Sequence, residues 1–426
     1  MFPLDKNLFV ITTARSYSHF RKRYCLVSES WFEEFHVTGE TFDTIFASNI
    51  AERLDEKGLL GKMKAESKER RIEIVKSFND VSSFLFSITN GHYYQDRVFK
   101  SFSKLSKDFK LEHDFLIQLS IFYKMNLSFL PSEIFHLIYG KDAPTIIANV
   151  EHFITFFPDR NGYAIRSPFL VPHILKSVSN KKKVRLLIDV LMYVSPQVDD
   201  GYHSYWNEIA STLMKCKLLR RPLGLNNTWV KELLLSIKNY YNDDYNYWLQ
   251  VGLAEQYDRD FELALNHFQQ AESLSPNSYL VKNAIARNFL RQANEIDDQS
   301  KAVILFDEGV RRMESLICER EEFQVKAYST HCLLYERIRF YGKYDIVPNE
   351  ETLRTMYTEL RSVFDKNPED PMSKHISNCF RRFVEDKNLK NKLPKMNLED
   401  LAIFRESIVG DEMSENDYLE NFELDE

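Results

Sequence analysis

The chain runs to 426 residues, 44% of them hydrophobic and 28% charged, which is the make-up of a globular protein with about two or three domains. Only 12 glycines and 13 prolines leave little material for the tight turns of an all-β fold, so a mainly α protein is expected. A formal net charge of −7, with acidic residues crowded between Asp411 and Glu426, excludes a chain that attracts nucleic acid over its whole surface.

Short basic clusters, Arg21-Lys22-Arg23, Lys181-Lys182-Lys183 and Arg220-Arg221, read as solvated helix ends. Cys25, Cys216, Cys318, Cys332 and Cys379 are odd in number and scattered, the pattern of reduced thiols and not of a disulfide frame or zinc site. The first residues lack the basic segment, apolar run and small-residue site of a secretory leader. No apolar run approaches the roughly 18 residues that span a bilayer. A cytoplasmic protein without membrane contact is therefore expected.

In chain order, residues 1–58 open with Leu8-Phe9-Val10-Ile11, a run typical of a fully buried strand in a parallel sheet, ending on Thr12-Thr13-Ala14-Arg15. A second strand-like run, Glu34–Val37, precedes a helix from about Thr41 to Lys57 with Phe42, Ile45, Phe46, Ile50 and Leu54 on one face. Residues 59–110 are helical, with Ile72, Val75, Phe78, Val81, Phe84 and Leu85 spaced three or four apart and a break at Asn90-Gly91. Residues 111–176 give three short helices, around Phe115–Phe122, Ile134–Ile138 and Thr145–Val150, and then a hairpin. It joins Phe153–Phe157 to Tyr163–Arg166 through Pro158-Asp159-Arg160-Asn161-Gly162. Three helices followed by a hairpin is the order of a winged-helix unit. Residues 177–243 continue as a helical linker or cap, with Leu186, Leu187, Val190, Leu191 and Val194 as an apolar stripe. Residues 244–388 carry helical hairpins, and 389–426 form a terminal helix and an acidic tail.

The most specific segment is Tyr247–Pro276. Trp248, Gly252, Ala264, Phe268, Ala271 and Pro276 stand where a two-helix hairpin needs small residues at the crossing and large ones beside it, with Asp260-Phe261 at the turn. This spacing resembles the tetratricopeptide repeat, with Glu255 where that family usually has an aromatic. A second unit from Tyr279 carries Ile285, Ala286 and Phe289 in its first helix and Ala302, Phe306 and Gly309 in its second, with about four extra residues before the latter. A third pairs Val325–Tyr341 with Glu350–Asp365. The expected fold is thus a repeat solenoid preceded by a winged-helix-like unit and a remnant of an α/β domain. Its concave groove would take a protein partner through Gln250, Leu253, Glu255, Lys282, Asn283, Arg287 and Phe289.

The order of buried strand ending in TTAR, helical segment, winged helix and repeats resembles the downstream part of bacterial STAND-type signalling NTPases, some of which serve antiphage defence. That resemblance implies that Arg15, preceded by Thr12 and Thr13, meets a nucleotide phosphate, where parallel sheets bind ligands. It also implies that the family's nucleotide-sensing histidine position falls near Arg166. The chain departs from the family in having no G-x-x-x-x-G-K-[ST] string, Gly58–Met63 being too short and lacking Ser or Thr, and no acidic strand ahead of Leu8. This chain alone is therefore expected to hold no cofactor and to catalyse nothing, ATP or ADP belonging to a complete parent of which it is a fragment or split subunit.

Other chemistries find little footing. The 11 histidines form no H-E-x-x-H or Cys/His spacing, and Arg166 and His173, spaced as in HEPN ribonucleases, are separated by helix-breaking Pro168 and Pro172. The second and third helices of the winged-helix-like unit carry almost no basic residues, so a structural or protein-binding role is expected there in place of DNA binding, with the partner contact on the repeat groove. Two rivals remain beside the sensor reading: a stand-alone repeat scaffold, and a subunit whose nucleotide site is completed by another chain. A further oligomer is compatible with any of the three.

Overall fold

The structure, a computed structural model, describes residues 44–56, 60–76, 109–151, 153–166, 170–198, 205–319, 323–366, 370–387 and 389. The strand-like runs 8–11 and 34–37, Thr13, Arg15, the helical pattern over 77–106 and the acidic tail lie outside the described residues. Among the described residues the protein is mainly helical, with one small sheet. It divides into two units, Met1–Ser101 and Phe102–Glu426.

In the first unit, helix α1 (Thr44–Glu56) leads through a 3₁₀ turn, Gly61–Ala65, into α2 (Lys68–Lys76). Ala47, Ala51 and Leu54 fall on one helix face because they are spaced four and three apart, and they bury themselves with Leu60, Met63 and Val75. Arg71 closes the corner by donating to Met63 O at 2.9 Å and Lys64 O at 3.0 Å while pairing with Asp55 at 2.9 Å. The sequence assigns α1 and α2 to segments on either side of residue 58, and they share this one small core.

The second unit opens with α3 (Lys110–Lys124), β1 (Leu130–Pro131), α4 (Ser132–Tyr139), α5 (Ala143–Val150), β2 (Ile154–Phe157) and β3 (Gly162–Ile165). The sheet is antiparallel in the order β1-β3-β2, with Ile154 opposite Ile165 and Leu130 opposite Tyr163. The β2–β3 turn works because Asn161 takes a left-handed conformation, φ 46°, which asparagine tolerates better than most residues. Gly162 is required on other grounds, since a Cβ there would stand 2.1 Å from the Phe129 ring. Inside, Phe115, Phe135, Tyr139 and Tyr163 form an aromatic cluster, with the Phe115 and Phe135 centroids 4.4 Å apart. The sequence indicates the helices and the hairpin; the two-residue β1 carries too short a pattern to be read.

Helices α6 (Leu170–Lys176), α7 (Asn180–Val194), α8 (Tyr205–Met214), α9 (Cys216–Arg220) and α10 (Asn227–Tyr241) follow. Helix α7 starts on Ser179, whose hydroxyl caps Lys182 N, and α10 on Asn226, which caps Trp229 N. The stripe Leu187, Val190, Leu191 and Val194 is buried, as are Val230, Leu233, Leu234 and Ile237 of α10. The Tyr241 hydroxyl fastens the two helices by donating to Leu191 O at 2.8 Å. Tyr205 links α8 to the sheet by stacking on Phe129 at 4.4 Å and donating to its carbonyl at 2.5 Å.

Seven further helices follow among the described residues: α11 (Tyr245–Tyr257), α12 (Phe261–Leu274), α13 (Tyr279–Glu295), α14 (Gln299–Glu319), α15 (Phe323–Lys343), α16 (Glu350–Phe364) and α17 (Pro371–Asp386). Most begin on a side-chain cap, Asp244, Asp260, Ser278, Asn349 and Asp370 each accepting from a backbone N–H of the first turn. Helices α11–α12 and α13–α14 form successive helical hairpins, and α15 continues the array with its buried side chains facing α13, α14, α16 and α17.

Candidate functional site

The two hairpins close on small residues. In the first, Ala264, Phe268 and Ala271 are fully buried, and a Cβ at Gly252 would lie 2.5 Å from the Phe268 ring. In the second, Ala286 and Ala302 are fully buried, and a Cβ at Gly309 would lie 2.7 Å from Leu290 Cγ. Phe306 stacks on Phe340 of α15 at 3.9 Å, carrying the apolar core into the next helix. Trp248 is half-buried; its indole N–H donates to Asn242 O at 2.7 Å and its ring stacks on His267 at 5.5 Å.

The residues expected to line a groove occupy varied positions. Gln250 is buried and accepts from Cys216 N at 2.9 Å, tying α11 to α9. Leu253 is buried, and Glu255 is buried against Lys231 of α10 at 2.5 Å. Burial alone would lower the Lys231 ammonium, but its bonds to Asp258 and Glu255 outweigh this and raise it above the usual lysine range. Asn283 donates to Ser329 Oγ at 3.0 Å and Arg287 to Tyr328 Oη at 2.6 Å, both from buried positions facing α15. Lys282 and Phe289 are half-buried, Phe289 lying under the Arg312 guanidinium at 5.3 Å. Gln250, Leu253, Glu255, Asn283 and Arg287 therefore serve contacts between helices in place of an open groove, because neighbouring helices cover the faces they occupy. Arg166 is exposed after β3, its backbone N–H donating to Phe153 O at 2.8 Å.

Sequence reading passed over a polar network that runs through the array. Asn288 of α13, fully buried, donates to Phe261 O at 2.8 Å and accepts from Gln256 of α11 at 3.0 Å. Gln256 in turn accepts from Arg291 at 3.1 Å, and the Arg291 Nε faces Glu336 of α15 at 3.6 Å. Glu336 is fully buried and also accepts from Asn294 at 2.7 Å and Arg339 at 3.4 Å. A signal for it exists in the sequence: Asn283, Arg287, Arg291 and Asn294 recur at three- and four-residue spacing, one stripe of a helix that otherwise buries Val281, Ala284, Ile285, Ala286, Leu290 and Ala293.

Elsewhere, charged groups are paired inside the fold. Asp114 of α3 is buried, with Lys182 at 2.5 Å and Arg185 at 4.0 Å, both of α7. Burial pushes its carboxyl up, but hydrogen bonds from His113 and Lys182 and the charges of Lys182 and Arg185 hold it below the usual carboxylate range. His331 of α15 is buried with its Nε2 2.9 Å from Ser373 Oγ of α17, and burial lowers it to about 4 despite the opposing charge of Asp370. An open cleft of about 610 Å³ runs along α16, lined by Glu350, Glu351, Arg354, Thr355, Thr358 and Glu359. Burial raises the Glu359 carboxyl, with Arg337 opposing. Among the described residues no group of three or more His, Cys, Asp or Glu is placed to hold a metal, and no helix is long and apolar enough to cross a membrane. In comparisons with known proteins, the chain matches no family model and no curated protein.

Proposed function

We propose that this chain is the partner-recognising part of a bacterial STAND-type signalling or defence NTPase, reading a protein through tetratricopeptide-like repeats and depending on other sequence for nucleotide chemistry. The observation that carries this reading is the pair of successive hairpins with small residues at equivalent crossings: Gly252 and Ala264 against Phe268, then Ala286, Ala302 and Gly309 around Leu290 and Phe306. Repeats built this way offer an extended surface for another chain. The unit ahead of them supports the resemblance. We read its order α3-β1-α4-α5-β2-β3, with the sheet order β1-β3-β2, as that of a winged helix. Its α4 and α5 face outward with Leu137, Pro144, Thr145 and Ala148, and not with the lysines and arginines that reading DNA requires.

With Gln250, Leu253, Glu255, Asn283 and Arg287 buried inside the array, Lys282 and Phe289 are the two expected contact residues that are half-buried and still reach the surface. The full chain used as bait in its native cells should capture a partner. Phe289→Asp and Lys282→Glu, in protein with unchanged helical content, should weaken that capture by about thirtyfold at an anchor position, or about 2 kcal/mol. Unchanged capture by both variants, together with loss of capture in Leu137→Asp, would move recognition to the sheet unit. Tight, salt-dependent DNA binding would end the protein-recognition reading.

A further inference from the structure

We infer that Glu336 is a register lock, which holds α13 and α15 in a single relative position and makes the hairpin array a stiff body with no slid or half-rotated docked forms. Apolar contact by itself is not directional, so two helices joined only by aliphatic side chains can trade neighbouring packings at small cost. A buried carboxylate cannot. It must keep its partners or return to water, because a charge left unpaired in an apolar interior is the expensive outcome.

Here the carboxylate is fully buried and its partners come from two directions, Arg291 and Asn294 on α13 and Arg339 one turn along α15 itself. A slide of α15 by even part of a turn would separate Glu336 from Arg291 and Asn294 without admitting solvent. Intermediate positions are therefore disfavoured, and the interface is either docked in this register or open. The same constraint passes to the first hairpin, since Arg291 also donates to Gln256 of α11, and Gln256 to Asn288. Three inner helices thus share one connected set of polar partners. This property of the array holds whichever partner it binds. A contact at either end would be carried as a rigid-body movement and not absorbed by slippage between hairpins.

The test separates stiffness from stability. Replacing both charges by apolar groups of similar length, Arg291→Met with Glu336→Met, removes the lock without leaving a charge stranded, so the melting temperature should be kept or raised. Amide hydrogen exchange on the full chain should nevertheless show α15 at least about tenfold faster than in the parent protein, through openings that leave α11 and α13 protected. In the parent, α11, α13 and α15 should exchange together. Should the double variant fail to fold, Gln256→Met with Asn288→Leu makes the same comparison at the α11–α13 contact, with α11 then the faster helix. The inference is overturned if a folded double variant protects the released helix as well as the parent does, or if α15 of the parent already exchanges well ahead of α13.

Discussion

The two kinds of contact in the repeat region are built from different materials. Within a hairpin the helices meet across an apolar seam, where Gly252 lets the Phe268 ring approach and Gly309 does the same for Leu290. Between hairpins the apolar core continues into α15, but the inner helices add hydrogen-bonded and charged groups to it, Gln256, Asn288, Arg291, Asn294 and Glu336. The seam supplies burial, which scales with area and forgives small shifts; the polar contact supplies little net stability but tolerates no shift. One holds the pieces and the other sets where they sit.

The sharpest way to break this contrast is at the seam. Phe268→Ala should cost about 3–5 kcal/mol, as removal of a buried phenylalanine generally does, and Gly252→Ala, disruptive alone, should become much less so in that background, because the ring it would strike is gone and only the Ala264 carbonyl, at 3.1 Å, still crowds the added Cβ. Two-state denaturant melts of the four proteins give the coupling; additive effects would show that the two residues do not share the seam.

A second experiment sharpens the polar side, at the α15–α17 contact. His331 has its folded value lowered by burial to about 4, from the ordinary 6.5. The unfolded chain takes up a proton below about 6.5 that the folded one refuses until about 4, so stability should be full above that upper value. It should fall on acidification across the interval, by on the order of 3 kcal/mol. His331→Gln retains a donor for Ser373 but does not titrate, so this part of the acid slope should vanish in its melts. An unchanged slope would mean that His331 does not hold its contact as a neutral ring.

The smallest effect is expected where a polar contact reaches solvent. Asp258 retains 46% side-chain exposure beside Lys231, which keeps Glu255 as its other partner, so Asp258→Asn should cost about 1 kcal/mol or less, with the difference shrinking in high salt. A cost as large as that of Phe268→Ala would erase the distinction between seam and polar contact.

The seam was legible because the need for small residues at a crossing leaves a spacing: Gly252, Ala264, Phe268 and Ala271 could be read in order along the chain. The β2–β3 hairpin was legible for a similar local reason, the turn Pro158–Gly162. The polar contacts join residues such as Gln256 and Asn288, or Asn294 and Glu336, that lie 32 and 42 positions apart. Each alone looks like an ordinary solvated side chain. Sequence reasoning sent Asn283 and Arg287 to an open groove because first-helix positions of such repeats line the concave face, whereas α15 covers that stripe. Strand β1 escaped for want of length, two residues giving no alternation to detect.

Tyr205 carries a consequence for the order in which the sheet unit assembles. It reaches back 76 positions to the backbone of Phe129, accepting from its N–H at 3.2 Å and donating to its carbonyl, just ahead of the edge strand β1. The β2–β3 pairing closes over a few residues and can form as soon as its turn does, whereas this contact must wait for a much larger loop to close. The edge of the sheet is thus completed late, by a helix from outside it. Synthesis of the chain through residue 166 supplies the three strands of this sheet but not the side chain that fastens the segment leading into β1.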